Sequence, residues 1–315
     1  MRLDGVVHRT PVLESSQMNG IVGGRVRFKC EMFQRGGSHK VRGTVNWVRA
    51  ALERGPVPGV VTASSGNHGA ALAMACAASA TPCVVVMPHE SNPTKAAATR
   101  AYGAEVISDG VDATNREAVA DRIAIERVFC RNTADAVDGI AGLGTLGFEV
   151  TEVDDVDVVL VPVGLGALLA GVALGVKARA SNVRVVGVEP VAGNDVRRSL
   201  DAGRIVSLGR PPQTMADGAR AMSPSPRTFS MIARLADDVV SVSEEAIADA
   251  LLLTWSRLKV VAEPTACLSL AAVLTGAVRG NALCVLSGGN VDIDAIARTL
   301  VHRTAAPTHA RGSSS

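Results

Sequence analysis

The chain has 315 residues, 47% hydrophobic, 20% charged and 3% aromatic, and its 32 basic and 30 acidic side chains leave a formal net charge of +2. That length suits one large or two ordinary domains, since single cores stop growing at roughly 250–300 residues. Near-neutral charge, with only five Phe, two Trp and one Tyr, argues against a nucleic-acid partner, which needs a basic face or stacking platforms. The longest apolar runs, such as Val156 to Val163, are broken by Asp, Pro or Gly well short of the ~20 residues of a membrane span. The opening MRLDGVVHRT lacks an apolar signal core, so a cytoplasmic protein without a membrane partner is expected. Cys30, Cys76, Cys83, Cys130, Cys267 and Cys284 form no CxxC pair and no zinc-spaced cluster, and read as small core residues.

From about Pro58 the text alternates between Val-rich runs and longer Ala/Leu/Arg/Glu stretches. Val60 to Thr62 predicts a buried strand and Ala70 to Ala80 a helix; Cys83 to Val86 predicts the next strand, with helices over Pro93 to Tyr102 and Ala113 to Glu126. Val158 to Val161 is a strand followed by a helix over Leu168 to Ala180, Val183 to Val188 a strand, Ser243 to Leu258 a helix, and Leu283 to Leu286 a last strand. Strands that read as continuous apolar runs between helices imply parallel sheets covered on both faces, an α/β architecture with at least two sheets. The polar tail 304–315 is expected to be disordered.

In such sheets ligands bind past the carboxyl ends of strands. Three segments stand there: TASSGNHG after Val60-Val61, PVGLGALLAG after the strand 158–161, and LSGGNVD after Leu283 to Val285. Each offers Gly and small hydroxyl or amide residues, and all three could face one anionic ligand. Gly142 to Gly147 matches GxGxxG but follows no strand, so the dinucleotide reading lacks its context. The strand 158–161, Gly164-Leu165-Gly166, a helix and a second strand ending in Glu189 imitate a nucleotide-binding βαβ unit better. The same residues suit any phosphate, because a helix amino terminus stabilises an anion whatever carries it.

Ser38-His39-Lys40-Val41-Arg42-Gly43 places a lysine early in the chain. Read alone, Lys40 is a solvated helix-start lysine, and Ser64 or Ser65 an ordinary helix N-cap. With the residues around it, this stretch resembles the Schiff-base lysine region of the fold-type II pyridoxal-phosphate enzymes, in the branch of threonine and serine dehydratases and serine racemases. Ser64-Ser65-Gly66-Asn67-His68-Gly69 resembles that branch's asparagine loop, and Ser287 to Asp292 its closing loop. Glu263-Pro264-Thr265-Ala266 and Ala216-Asp217-Gly218 match further family signatures. The resemblance covers about Thr10 to Val301.

It implies a tryptophan synthase β-like fold of two mainly parallel sheets, with a large cofactor-binding domain from residues 1–48 and 139–303 and a small inserted domain at 49–138. It implies pyridoxal phosphate on Lys40, which also serves as base for the substrate's α-proton; such a lysine needs a lowered pKa, from burial with help from Arg42 or His39. Gly164, Leu165, Gly166 and Ala167 would cradle the phosphate, Asn67 would meet the ring hydroxyl, and the Ser287 hydroxyl would face the ring nitrogen. A neutral alcohol there makes the ring a milder electron sink, which favours β-elimination. Ser64, Ser65, Asn67 and His68 would hold the amino-acid substrate, Ser65 standing opposite the lysine as in racemases. Glu189, the carbonyl of Gly193 and Asp195 fall at the spacing of the branch's divalent-cation site, where hard oxygen ligands suit Mg²⁺ or Ca²⁺; read alone they are a solvated acidic turn.

The chain departs from the family at His39, which stands where an aromatic ring is usual, at Leu143, which replaces Gln, and at Leu165 and Ala167, which interrupt a glycine run. Side chains in that loop restrict positive φ, and Leu143 with His39 suggests a substrate other than plain threonine. His68 argues against cysteine-synthase-like replacement chemistry. The reaction expected is dehydration of serine, threonine or a 3-hydroxy analogue to a 2-oxo acid and ammonia, by a homodimer. The alternatives are an amino-acid racemase using Lys40 and Ser65, a nicotinamide-dependent oxidoreductase, and an inactive binding homologue.

Overall fold

The computed structural model describes residues 2–300 apart from Ser65, Asn92, Ala180, Ser181, Ala295 and Thr299. The expected tail at 304–315 lies outside the described residues. In chain order the elements are β1 Val12–Glu14, α1 Ser16–Val22, β2 Val26–Cys30, α2 Lys40–Arg54, β3 Val60–Ala63, α3 Asn67–Ala77, β4 Cys83–Val86, α4 Pro93–Ala101, β5 Glu105–Ile107, α5 Arg116–Glu126, β6 Cys130–Arg131 and α6 Val137–Val150. They continue with β7 Val158–Pro162, α7 Ala167–Lys177, β8 Arg184–Pro190, α8 Asp195–Ala202, α9 Pro226–Leu235, β9 Asp238–Val242, α10 Glu244–Leu253, α11 Leu268–Leu274 and β10 Ala282–Leu286.

The strands form two sheets, one of six in the order β1-β2-β10-β7-β8-β9 and one of four in the order β5-β4-β3-β6. Every pairing is parallel except that of β1 with β2. Both sheets bury alternate side chains into opposite cores, as a period of two requires. In β7, Val158 and Leu160 join a core with Cys284, Ile247 and Leu268, while Val159 and Val161 join one with Leu146, Leu169 and Ile232. In the smaller sheet Val60 and Val85 pack with Val41, Val45 and Leu72, and Val61 and Val84 with Ala120 and Ile123.

The five predicted strands and the helices between them are present, with ends shifted by a few residues. The helix expected over Ser243 to Leu258 is regular only to Leu253 and passes into a π turn at Thr254–Leu258. The GxGxxG segment lies inside α6, where its glycines serve packing. A Cβ on Gly147 would stand 2.5 Å from the Val172 carbonyl oxygen, and one on Gly175 would stand 2.2 Å from that of Gly144. Only residues without a side chain allow α6 and α7 so close.

Candidate active site

Lys40 opens α2, at the amino end of a helix whose cap residue, His39, gives no side-chain cap. His39 instead turns inward, its N–H and its ring Nδ1 lying 3.0 and 2.9 Å from the carbonyl oxygen of Ser287 at the end of β10. Ser38 bridges to Gly288. The loop after β10 therefore holds the start of α2, and Lys40 sits where the closing loop and the asparagine loop converge.

Burial lowers the pKa of Lys40, opposed by Glu263. His39 and His68 are both pushed down to about 3, by burial first and by the Lys40 charge second. Arg42 does not lower Lys40 as the sequence suggested, because it points away. Its guanidinium is fully buried and binds Glu31 through Nε at 2.7 Å and Glu149 at 2.5 Å, and Lys29 Nζ meets the same Glu149 at 2.6 Å. Burial works against the Arg42 charge, but these carboxylates outweigh it and raise its pKa.

The asparagine loop runs from β3 into α3. Ser64 N–H donates to the Val86 carbonyl at 3.0 Å, and the Ser64 hydroxyl accepts from Gly66 and Gly69 N–H at 3.3 and 3.0 Å. The cap residue of α3 is Gly66 and not Ser64; Ser64 instead ties the preceding turn to the first turn of the helix, and its own amide is not left for a ligand. Ser65 lies outside the described residues. His68 faces Asn132, Nε2 to Oδ1 at 2.8 Å, and both line one small pocket with Lys40 and Leu143. Asn67 Nδ2 lies 3.0 Å from each oxygen of Glu263, and its Oδ1 accepts from Asn290 at 3.0 Å.

Glu263 and Asn290 were legible only as members of family signatures, and Lys95 not at all, because their partners lie far away in the chain. Burial first and Asp217 second push Glu263 up to about 7, against the pull of Lys95, Asn67 and Lys40. Lys95, on α4, bonds Asp217 at 2.5 Å.

The loop from Gly164 to Ala167 leads from β7 into α7. Gly166 alone in it has positive φ, at 93°, so Leu165 and Ala167 occupy positions that side chains tolerate. A Cβ on Gly164 would stand 2.3 Å from the Gly218 carbonyl oxygen and one on Gly166 would meet Ile232 at 2.7 Å. The loop delivers the amino terminus of α7, where first-turn N–H groups are free to meet an anion.

Glu189, Gly193 and Asp195 lie together where β8 runs into α8. Both carboxylates are buried, the reverse of a solvated turn. Burial raises Glu189 to about 8 and Asp195 to about 7. Glu189 accepts from the N–H groups of Val196 and Arg197 at 3.3 and 2.9 Å, and Asp195 Oδ2 has no partner among the described residues. With Glu189 turned onto α8, the ribose contact of a nucleotide-binding βαβ unit is lost, and the GxGxxG segment is helix. The β7–α7–β8 unit that imitated a nucleotide site is present, but Glu189 at its end is bonded to α8.

Three buried polar atoms around Lys40, namely Ser38 Oγ, His39 Nε2 and Ser287 Oγ, have no partner among the described residues. Buried polar groups are normally satisfied. An enclosed amine of lowered pKa, an amide cradle beyond one strand and partnerless hydroxyls beyond another define an enzyme that holds a phosphorylated carbonyl cofactor. Residues 3–288 match the family model for pyridoxal-phosphate dependent enzymes. Serine racemase of Homo sapiens is 41% identical over 91% of this chain and 87% of its own. L-threo-3-hydroxyaspartate ammonia-lyase of Saccharomyces cerevisiae is 37% identical over 98% and 95%. The crystal structure of a T.th. threonine deaminase superposes with a TM-score of 0.88 at 42% identity, over 93% of this chain and 96% of that one. The chain belongs to the pyridoxal-phosphate-dependent enzyme family, in its fold-type II threonine dehydratase and serine racemase branch.

Proposed function

We propose that the protein removes water from a β-hydroxy amino acid such as serine, threonine or a 3-hydroxy analogue, giving a 2-oxo acid and ammonia. The observation that carries this is Lys40, an enclosed amine of lowered pKa between an amide cradle at Gly164 to Ala167 and the partnerless hydroxyl of Ser287. When bound, pyridoxal phosphate supplies the electron sink that acidifies the substrate's α-carbon. Lys40 would carry the cofactor's aldehyde and, as a free amine, would take the substrate's α-proton at Nζ; its lowered pKa leaves it neutral nearer physiological pH. The cradle would hold the phosphate, Asn67 would donate to the ring oxygen, and Ser287 would face the ring nitrogen as an uncharged partner. The N–H groups of Asn67 and His68 would grip the α-carboxylate. Racemisation through Lys40 and Ser65 is a second reading, supported by the serine racemases among the relatives as strongly as elimination is by the ammonia-lyase and deaminase.

Glu189, the Gly193 carbonyl and Asp195 are proposed to hold Mg²⁺ or Ca²⁺. The large domain is taken as 1–48 and 139–303 and the small one as 49–138; α2 crosses that boundary and lends Val41 and Val45 to the small sheet's core. No helix among the described residues is long and apolar enough to cross a membrane. Six free cysteines support a cytoplasmic location, and exposed Phe33, Val261 and Ile293 support a homodimer.

The test is Lys40→Ala beside the wild type, loaded with cofactor and offered a panel of β-hydroxy amino acids. Wild type should show visible absorbance and release ammonia, and the variant should show neither. Chiral analysis of the recovered substrate separates racemisation. A variant that kept both absorbance and ammonia release would overturn the assignment.

A further inference from the structure

The side-chain amide of Asn67 is fixed by a chain of bonds that begins at an obligate acceptor. The Gly36 carbonyl can only accept, so the Asn290 atom 2.8 Å from it is the donor Nδ2. That same Nδ2 lies 3.0 Å from Asn67, which must therefore turn Oδ1 toward it. Asn67 Nδ2 is then left facing Glu263, at 3.0 Å from both Oε1 and Oε2. Glu263 is 4% exposed and is held by its own N–H, which donates to the Gly288 carbonyl at 3.0 Å.

The two oxygens of one carboxylate, seen from the amide nitrogen, subtend a much smaller angle than separates its two N–H bonds. A single N–H is shared between both oxygens, and the other points elsewhere. Flipping Asn67 would set its oxygen against a carboxylate and its N–H groups against the donor of Asn290, losing both bonds.

We propose that Glu263 and Asn290 are positioning residues that clamp Asn67 as an obligate hydrogen-bond donor, its second N–H reserved for a negatively charged oxygen in the cleft. This rests on the reading that Asn67 meets the ring oxygen of the cofactor. The arrangement explains why a carboxylate is buried beside a site that itself binds an anion. Glu263 fixes the direction of a neutral donor, while Lys95 and Lys40 offset its charge against Asp217.

The experiment compares Asn67→Ala, Glu263→Leu, Glu263→Gln and Asn290→Leu by two readouts: the absorption spectrum of the cofactor-loaded protein, and the Asn67 side-chain amide signals of the cofactor-free protein by NMR. Glu263→Leu and Asn290→Leu should move the visible band to shorter wavelength, as Asn67→Ala should, and weaken cofactor binding on the order of tenfold. Both should also strip the Asn67 amide protons of protection from exchange. The near-isosteric Glu263→Gln, which keeps the fold if Leu does not, should give an intermediate band and two sets of Asn67 signals. Wild-type amide signals in Glu263→Gln and Asn290→Leu would overturn the clamp. If Asn67→Ala alone leaves the band unmoved, the ring-oxygen reading fails, and the amide signals decide the clamp by themselves.

Discussion

The ring of His39 lies 2.9 Å, through Nδ1, from the carbonyl oxygen of Ser287, 248 residues further along the chain. A carbonyl only accepts, so Nδ1 carries the proton, and burial with the nearby Lys40 charge keeps the ring neutral, its pKa about 3. NMR of the imidazole should show one neutral Nδ1–H tautomer from about pH 5 to 9; a titration step inside that range would contradict the assignment. His39→Phe removes one bond but leaves the His39 N–H on the Ser287 carbonyl, and should lower unfolding stability in urea by only about 0.5–1.5 kcal/mol.

The cluster of Arg42, Glu31, Glu149 and Lys29 is buried and balanced, two charges of each sign. Arg42→Met leaves two carboxylates facing Lys29 alone. It should cost about 3–5 kcal/mol in denaturant unfolding, the usual penalty for an unpaired buried charge. Arg42→Lys keeps the charge, loses the fork, and should cost less. Equal losses in the two variants would mean that shape and not charge is at stake.

Gly166 combines a φ of 93° with a Cβ site 2.7 Å from Ile232. Gly166→Ala strains the backbone and pushes on the core at once, so the melting temperature should fall. Phosphate-dependent retention of cofactor should fall further than in Leu165→Ala, whose φ is not positive. Matching retention in the two variants would remove Gly166 from the cradle.

Glu189 and Asp195 hold protons more tightly when folded, at about 8 and 7 against 4.5 and 3.8 for the ordinary groups. Where the folded state binds more protons, stability falls as pH rises. Without a divalent cation, these two groups should remove stability between about pH 4 and 8, with no further loss above. Mg²⁺ or Ca²⁺, which binds the ionised carboxylates, should restore it, and more at pH 8 than at pH 5. A melting curve whose cation shift does not grow with pH would argue against a cation at this site.

Val60 to Thr62 and Val158 to Val161 were legible as strands because they read as unbroken apolar runs. β2 was not, because Arg27 and Lys29 interrupt it. Inside the sheet Arg27 reaches the carbonyls of Asp154 and Asp155, and Lys29 reaches Glu149 and the Thr10 carbonyl. Partners supplied from distant segments let charges sit in a central strand, and no local pattern announces them. The loops around Lys40 were legible as motifs, whereas the direction of Arg42 and the clamp on Asn67 arise only when separate loops meet. The glycines of α6 misled in the opposite sense, since a loop signature and a close helix contact call for the same residue.

Helices α2 and α6, which lead out to the four-stranded sheet and back from it, touch each other. Asn46 Nδ2 donates to the Asp138 carbonyl at 2.7 Å, and a Cβ on Gly142 would stand 2.3 Å from the Arg42 carbonyl oxygen. Exit and return thus share one doorway, and the six-stranded sheet need not span any distance set by what lies between them. The stretch from β3 to β6 is therefore interchangeable in principle. A domain of different size could be grafted between the same two helices with Lys40 still standing on the threshold.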